Sequence, residues 1–352
     1  MRLFSETEES NYPYVTARVR AKKAKLLKRD AYHKLLLMSV PEIGRYLGES
    51  EYRKEMADYG GVMEGASLVE FATYRNLARV LKDILGYCTS ELREMVSSYL
   101  GKWDAHNVKV VLRGRYASAT GEQIEQQLIP AGSFDMNFLR KLIRSETVEE
   151  IVATSRSAGL PLSDEAVRSF HTSKRLSTLE DDIDKGYYRK LLGTQSDDEA
   201  NDIFITYIRR EIDVHNLQTV LRLRTEGLQP QQELTFLVPG GREFGMKSLR
   251  RFIELPTIAD MLGSIKSTSY ADVVGGKAEE TSGWSGLRLI AIALDRKHAM
   301  ESQRFEHLYP LSVLPVLDYM LRKETEVRNL RVLARGKQSG LSADEMQSVL
   351  VM

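Results

Sequence analysis

Apolar residues recur every three or four positions over long stretches of this chain. The clearest stretches are Leu77–Leu85, Ile203–Ile212 and Val313–Leu321. This spacing predicts amphipathic helices that bury one apolar stripe each. The alternation typical of strands is nearly absent, and Leu234–Val238, just before Pro239, is the best strand candidate. The pattern therefore predicts an all-α fold.

Clusters of glycine and proline separate the predicted helices. They lie at Tyr59–Gly61, Ile129–Gly132, Gly193–Asp198, Val238–Gly241 and Val274–Gly286. We expect the last of these to be the most mobile loop, because it is long and rich in glycine. Ser163 and Ser342 are each followed closely by acidic residues, which predicts that both cap the start of a helix.

One segment occurs three times along the chain. Asp104–Arg115, Asp213–Arg224 and Glu326–Lys337 share an acid, then an asparagine, then apolar residues and closing basic residues in the same order. Successive copies lie roughly 110 residues apart. This spacing predicts three helical units, each too long to be one unit of an ordinary helical solenoid.

The similarity between the copies continues beyond this segment. Arg113 and Arg222 each stand 17 residues before a proline, Pro130 and Pro239. The third copy stops soon after Leu341, and a weaker match at Tyr14–Lys22 indicates a degenerate fourth copy. We predict three subdomains: 1–133, which includes a basic N-terminal helix, 134–243 and 244–352.

The repeated polar residues have two interpretations. They can cap and connect equivalent helices, or they can form matching partner contacts around a pseudo-threefold axis. The first is favoured because buried polar groups must be paired wherever they occur. The candidate partner-binding residues under the second interpretation are Asn107, Arg113, Asn216, Arg222, Asn329 and Arg335.

Composition excludes several classes of protein. The 352 residues include 50 Lys and Arg against 49 Asp and Glu, a net charge of +1 that argues against a dedicated nucleic-acid binder. A single cysteine excludes an internal disulfide framework and any multi-thiolate metal site. No apolar run approaches the roughly 20 residues that cross a bilayer. We expect a soluble intracellular protein.

The residue types that carry enzymatic chemistry are poorly placed. His106 and His215 recur in register, but the third copy carries Arg328, which cannot replace a metal ligand. Cys88 lies at a predicted helix end and is typical of a small apolar filler rather than a nucleophile. The glycine-rich segments lack the phosphate-loop pattern. We therefore expect no catalytic site, no metal and no cofactor.

The N-terminal segment Arg18–Lys34 is strongly basic and also carries leucines. Such segments bind acidic membrane surfaces, RNA or acidic partner proteins, or they are solvated helices whose lysines cover a core stripe. Arg18, Lys22 and Lys25 are the candidate partner contacts here.

These motifs together resemble a known family. Tyr14-x-x-Ala-Arg-Val-Arg-Ala, Leu26-Leu27, the three D/E-x-x-N-[LV] helices and the closing Leu333-Ala-Arg-Gly-Lys337 are similar to the C subunit of archaeal and bacterial V/A-type ATP synthases. The d subunit of eukaryotic vacuolar ATPases is the counterpart. The resemblance implies three similar helical subdomains that form a funnel with pseudo-threefold symmetry and without an active site.

The resemblance also implies a role and partners. Such a protein is part of the central stalk or rotor and couples ATP synthesis or hydrolysis to proton or sodium transport. It connects the central-stalk subunits D and F to the membrane proteolipid ring, as one copy in a multisubunit complex. The chain would be monomeric alone, would bind no nucleic acid, and would lie at the cytoplasmic inner face of the cell membrane through the complex.

Three alternatives remain open. The chain could be a helical-repeat scaffold for protein–protein interaction, although scaffolds of that kind use many short units. It could be an RNA-associated protein that uses its basic N-terminal helix, in which case polyanion binding would fall steeply with salt. An enzyme is the least favoured alternative, because no catalytic constellation is present.

Overall fold

The computed structural model describes residues 10–193, 199–225, 234–274 and 284–352. Within these ranges the regular structure is helical and no strand occurs, so the predicted all-α fold is confirmed. The strand candidate was wrong, because Leu234–Phe236 forms one 3-10 turn. Both backbone polar groups of Val238 bond to the side chain of Asn216, so they cannot join a strand ladder.

The helices follow one order three times: three short helices and then two long ones. A separate helix, α1 (Tyr12–Lys23), precedes the first copy. The first copy consists of α2 (Arg29–Leu37), α3 (Val40–Gly48), α4 (Arg53–Tyr59), α5 (Gly65–Tyr87) and α6 (Ser90–Tyr116).

The second and third copies repeat this order with small additions. After the one-turn helix α7 (Gly121–Glu125), the second copy consists of α8 (Met136–Arg144), α9 (Val148–Ser157), α10 (Asp164–Ser173), α11 (Leu176–Leu192) and α12 (Glu199–Thr225). The third consists of α13 (Met246–Ile253), α14 (Ile258–Ile265), α15 (Ala271–Val274), α16 (Trp284–Leu308) and α17 (Leu314–Gln338), followed by α18 (Ala343–Val349).

The predicted caps agree with these helices, as do the predicted boundaries at Tyr59–Gly61, Ile129–Gly132 and Val238–Gly241, whereas residues 194–198 of the boundary predicted at 193–198 lie outside the described residues. The Ser163 side chain accepts a hydrogen bond from the Ala166 amide at the start of α10. Ser342 and Glu345 exchange side-chain to backbone bonds at the start of α18. Of the loop predicted at 274–286, residues 275–283 lie outside the described residues. Its last three residues were predicted wrongly, because they form the first turn of α16.

The chain forms two compact units. The first comprises Met1–Leu160 and Phe305–Leu341, and the second Pro161–Arg304 and Ser342–Met352. In the first unit α17 packs along α5 and α1, and Leu81 of α5 and Leu330 of α17 are fully buried. The three predicted subdomains, 1–133, 134–243 and 244–352, stay a prediction about the organisation of the repeats.

The second unit has its own apolar core. Buried side chains of α12, α13, α14 and α16 meet there, and the sequence stripe on α12 supplies one side of it. These residues are Leu217, Leu221, Leu249, Phe252, Met261, Leu262, Ile290 and Leu294. Burial of such side chains from water is the main free energy that holds the helices together.

Candidate partner-binding surface

The repeated asparagines hold the turns that follow the long helices. Asn107 on α6 donates to the Ile129 carbonyl and accepts from the Ile129 amide, both at 2.8 Å. Asn216 on α12 makes the same two bonds to Val238, also at 2.8 Å. Both side chains are fully buried. Each asparagine thus satisfies the backbone of the residue before a proline, where no helix or strand can do so.

The repeated acids hold the next few residues of the same turns. Asp104 accepts from the amides of Ser133 and Phe134, at 2.9 and 2.8 Å. Asp213 accepts from the amides of Arg242, Glu243 and Phe244 at 2.9 to 3.1 Å. Burial raises the pKa of Asp213, and these three backbone bonds oppose that rise.

Glycine is required where each carboxylate meets the turn. A Cβ atom at Gly132 would overlap the carboxylate of Asp104, and one at Gly241 would overlap that of Asp213. The Gly-containing turns noted in the sequence therefore leave room for the buried acids.

The third copy makes its corresponding contacts with the start of the chain. Glu326 on α17, the counterpart of Asp104, accepts from the Leu27 amide at 2.5 Å. Leu27 stands two residues before α2, just as Phe134 stands two before α8. Asn329 is buried and hydrogen-bonds to the Tyr32 side chain on α2. The segment before α2 therefore occupies the place that the third copy lacks after Leu341.

A repeated cation agrees with this correspondence. Arg115 donates to the carbonyl of Ile143 near the end of α8, at 2.7 Å. Arg224 donates to the Ile253 carbonyl near the end of α13. Lys337 donates to the carbonyl of Leu36 near the end of α2, at 2.7 Å. We call these residues, with the acid and asparagine of the same helix, the first, second and third contact sets.

The third contact set changes one expectation about the repeat. The copy that stopped after Leu341 is completed by α2, which lies about 300 residues away in sequence. The weak match at Tyr14–Lys22 lies on α1, a helix of 12 residues, and its status as a degenerate fourth copy stays a prediction.

A buried ionic cluster reinforces the third contact set. Lys323 donates to Glu326 and to the Tyr52 hydroxyl, each at 2.8 Å, and Tyr52 donates to Glu326 at 2.6 Å. Burial lowers the pKa of Lys323, while the charge of Glu326 and its hydrogen bond oppose that shift. Burial and the negative charge of Glu326 raise the pKa of Tyr52.

Arg335, a predicted partner-binding residue, lies at the mouth of a pocket. Its guanidinium bonds to the Glu70 carboxylate at 2.9 and 2.5 Å and to the Gln338 side chain at 3.0 Å. Arg331 reaches the other Glu70 oxygen at 2.5 Å. About half of each arginine side chain remains exposed. The pocket measures about 510 Å³ and is lined by Ser67, Glu70, Phe71, Ala119, Gln123, Gln126, Gln127, Arg331 and Arg335.

Arg113 belongs to the same region of the first unit. Burial, together with the charges of Lys109, Arg113 and Arg331, lowers the pKa of His106 to about 4. Positive charges on both α6 and α17 therefore lie close enough to His106 to lower its pKa. We define the α6–α17 basic surface as Lys109, Arg113, Arg331 and Arg335, with Glu70 beneath the last two.

The equivalent arginine of the second unit has a different neighbourhood. Arg222 is exposed on α12 and faces the acidic run of α11. Burial raises the pKa of Asp181 in that run to about 7, while the charges of Lys185 and Arg222 oppose the rise. The acid run is thus a half-buried face of a helix.

The predicted contacts of the N-terminal segment are held by neighbouring side chains. Arg18 is exposed and lies 4.5 Å above the Tyr87 ring, and Lys22 lies 6.0 Å above the same ring. Lys25 pairs with Glu51 at 3.0 Å, and both side chains are largely exposed. The role of these three residues and of the six repeated ones as partner contacts stays a prediction.

Known proteins match this chain over nearly its whole length. The sequence profile described as ATP synthase (C/AC39) subunit matches residues 15–349. The chain belongs to the ATP synthase C/AC39 subunit family. This family places the chain among the subunits of rotary ATP synthases, and it confirms the resemblance drawn from the repeated helices.

Three relatives match this chain over nearly the full length of both sequences. The C subunit of the A-type ATP synthase of Methanococcoides burtonii is 34% identical over 97% of this chain and 95% of its own length. That of Halorubrum lacusprofundi is 35% identical over 99% of both chains. That of Archaeoglobus fulgidus is 33% identical over 97% of this chain and 96% of its own length.

In this C/AC39 chain the cysteine considered as a nucleophile lies in the core. Cys88 is buried and donates to the Ile84 carbonyl, and burial raises the pKa of its thiol to about 12, which opposes a nucleophilic role. Among the described residues no group of three metal-ligating side chains occurs. No helix in the described ranges is long and apolar enough to span a membrane.

The sequence analysis did not single out several residues of the contact sets and of the α6–α17 basic surface. Arg115, Arg224 and Lys337 close the aligned segment and were visible as the last residue of each copy. Glu70 and Arg331 carried no signal, because Glu70 lies on α5, outside the repeat, and pairs with α17 from 261 and 265 residues away.

Proposed function

We propose that this chain is the non-catalytic rotor adaptor of a V/A-type ATP synthase. It links the central-stalk subunits D and F to the membrane proteolipid ring and so couples ATP synthesis or hydrolysis to proton or sodium transport. One copy acts in each complex, at the cytoplasmic face of the membrane. The observation that carries the proposal is the family match over residues 15–349, together with full-length relatives named as the C subunit of A-type ATP synthases.

The contact sets support a role in which the chain carries torque. An adaptor that transmits rotation must keep its helices in fixed positions while force acts on them. The buried asparagines Asn107 and Asn216 bind the backbone of the turns that lead into the next copy, and Glu326 binds the backbone that leads into α2. Such contacts should hold the helices in place, because packed protein interiors deform little. In this proposal Asn107, Asn216 and Asn329 fix the body, and the exposed arginines meet the partners.

The α6–α17 basic surface supports a partner with acidic side chains. Lys109, Arg113, Arg331 and Arg335 carry four positive charges, and Glu70 neutralises one of them. Complementary charge speeds encounter and fixes orientation more than it adds affinity. We place one of the two protein partners here and expect Arg222 to make a corresponding contact on the second unit.

Co-elution tests the proposal. The purified chain is mixed with the detergent-solubilised proteolipid ring and, separately, with the stalk pair D and F, and each mixture is separated by size exclusion. The proposal predicts co-elution with both partners and no ATPase activity in the chain alone. A stable monomer that elutes with neither partner would contradict it and favour the helical scaffold.

A charge-reversed variant locates the surface. Lys109→Glu with Arg113→Glu reverses the charge of half-buried Lys109 and exposed Arg113 on α6, and we expect the variant to lose co-elution with one partner. The matched control is Arg53→Glu with Lys54→Glu, which reverses two exposed cations on α4. Equal binding by both variants would show that the partner lies elsewhere.

A further inference from the structure

The pocket beside Arg335 lies within the first compact unit, between α5, α17 and the segment that contains α7. Three glutamines, a serine and two arginines form most of its wall, and Phe71 and Ala119 form the apolar remainder. Its volume of about 510 Å³ lies within the range of about 300–1,000 Å³ that is typical of small-molecule sites. The wall is more polar than in most such sites, which points to a charged or strongly polar ligand.

One buried carboxylate holds the two arginines of the pocket in position. Arg331 lies 2.5 Å from one oxygen of Glu70, and Arg335 bonds to the other oxygen at 2.9 and 2.5 Å. A single carboxylate cannot neutralise two guanidinium groups, and about half of each arginine side chain is exposed. The two terminal nitrogens of Arg331 form no hydrogen bond to another described residue. The pocket therefore keeps a net positive charge on arginines whose positions are already fixed.

Other hydrogen-bond donors line the remaining walls. The Ser67 hydroxyl and the side-chain amides of Gln126 and Gln127 form no hydrogen bond to another described residue. A hydroxyl supplies one donor and an amide supplies two. Ser67 and Gln126 are half-buried, and Gln127 is exposed. Together with the guanidinium groups, these side chains present donors to the cavity from three different segments of the chain.

The surroundings of the pocket add positive rather than negative charge. Lys109 and Arg113 on α6 belong to the α6–α17 basic surface, which includes both arginines of the pocket. Among the residues that line the pocket Glu70 is the only acid, and both arginines already contact it. Glu125 of the adjacent α7 pairs with Arg140 at 2.7 Å and does not line the pocket. An anion that enters the pocket therefore meets more cations than acids.

We propose that this pocket binds a phosphate-bearing small molecule. Guanidinium groups match the geometry of phosphate oxygens and form charge-assisted hydrogen bonds to them. The phosphate lies against Arg331 and Arg335, and Ser67, Gln126 and Gln127 bond its remaining oxygens or the group that carries it. The ligand leaves α6 to the protein partner proposed for the same surface. The proposal does not rest on the rotor role, because it concerns the chain and the ligand alone.

A phosphate fits the pocket better than the carboxylate of an acidic protein side chain does. A carboxylate has two oxygens, whereas a phosphate group presents three strong acceptor oxygens in different directions. The donors of the pocket come from three segments, so a carboxylate would leave more of them unpaired. A cavity of about 510 Å³ also has room for a whole small molecule rather than for one side chain.

Isothermal titration calorimetry of the full chain tests the proposal. The probes are pyrophosphate and, separately, ATP without magnesium, both at constant ionic strength. We expect saturable binding of at least one probe. Tighter binding of ATP would identify a nucleotide as the source of the phosphate, and equal binding would identify the phosphate groups alone. Arg331→Gln should weaken the binding about tenfold or more, because it removes charge-assisted hydrogen bonds.

A second variant leaves both ion pairs of Glu70 intact. Gln127→Glu places a negative charge at an exposed position of the pocket wall and should weaken binding about fivefold or more. The matched control is Lys54→Gln, which removes an exposed cation on α4 outside the pocket and should bind as the wild type does. Thermal unfolding of each variant shows that it is folded, and Gln127→Glu decides the test if Arg331→Gln is not.

Two results would overturn the proposal directly. One is the absence of saturable binding of either probe, and the other is wild-type affinity in a folded variant of either kind. Glutarate provides the carboxylate comparison. If glutarate binds and loses affinity in the variants while neither phosphate probe binds, the pocket is a carboxylate site and the proposal fails. Co-elution with the ring and the stalk pair is measured separately, so the adaptor proposal stands or falls on its own.

Discussion

Buried polar side chains at repeated positions bond to backbone groups that no helix satisfies. Asn107 and Asn216 each form two 2.8 Å bonds to a residue that precedes a proline. An unpaired buried peptide group costs about 1–3 kcal/mol, so these positions allow little variation in side chain. The identity of the repeated residues therefore reflects the backbone of the turns.

The apolar positions of the repeated helices give the first prediction. Leu112 and Leu221 are almost completely buried at equivalent places on α6 and α12. Leu112→Ala and Leu221→Ala should each lower the free energy of unfolding by about 2–5 kcal/mol, as truncations of buried leucine do. Denaturant unfolding measures the change. Leu341→Ala, at a residue that is 45% exposed, is the control, and losses below about 1 kcal/mol at both buried sites would contradict the register.

His106 gives a prediction about pH. Burial and the cations Lys109 and Arg113 lower its pKa from 6.5 to about 4, so the folded protein holds it neutral where the unfolded chain protonates it. Below pH 6.5 the unfolded chain binds a proton at this histidine that the folded protein does not bind. The free energy of unfolding is therefore unaffected by His106 above pH 6.5 and falls as the pH falls towards 4.

His106→Gln removes this titration and tests the sign. The wild type should lose about 1–2 kcal/mol more than the variant between pH 7 and pH 4.5. Thermal unfolding of both proteins at the two pH values measures the difference. Parallel loss in both proteins would show that other groups carry the acid sensitivity.

At the scale of elements, the second long helix of each copy holds the short helix that begins another copy. Arg115 reaches α8, Arg224 reaches α13, and Lys337 reaches α2. The same contact therefore occurs three times, and in the third case the partner of α17 is α2, which lies near the start of the chain. Loss of the N-terminal segment would expose Glu326 and Lys323, which are buried charges.

Exchange of backbone hydrogen tests this arrangement of elements. Lys337→Met keeps the length of the side chain but removes its bond to the Leu36 carbonyl. We expect amides of α2 to exchange about fivefold faster, which corresponds to about 1 kcal/mol, with α8 unchanged.

Arg115→Met is the matched control for that experiment. It removes the equivalent bond to Ile143, so it should speed exchange in α8 and leave α2 unchanged. The same exchange profile in both variants would contradict a specific pairing between each long helix and its short helix.

Much of the helical content and capping followed from local sequence, and the closure of the third copy did not. Periodicity and caps such as Ser163 depend on residues within a few positions of each other. The bond between Leu27 and Glu326 joins residues 299 apart, and neither flanking sequence repeats the Pro-Gly turn of the other copies. The sequence similarity between the copies therefore ends at Leu341, although in the structure the contacts of the third copy are made by residues from Leu27 onwards.

At the scale of the whole molecule, we propose that the basic N-terminal helix takes part in assembly. Arg18 and Lys22 lie over the Tyr87 ring, and Lys25 pairs with Glu51 at the surface. Such exposed contacts contribute little to stability. Replacing Arg18, Lys22 and Lys25 by glutamine should therefore lower attachment to the complex more than it alters folding.

Binding and unfolding measured on one variant separate these effects. The triple variant should unfold within about 1 kcal/mol of the wild type and yet bind the partners or the membrane more weakly. Unchanged assembly would leave α1 as a solvated surface helix. Arg53→Gln with Lys54→Gln, two exposed cations on α4, serves as the control.

We propose that this chain couples the two halves of a rotary ATP synthase. The most direct measurement compares ATP hydrolysis with ATP-driven ion transport in proteoliposomes that contain the complex assembled with and without the chain. We expect that hydrolysis by the catalytic head continues without the chain, that ion transport is lost, and that added chain restores it. Full ion transport in a complex that lacks the chain would contradict the account.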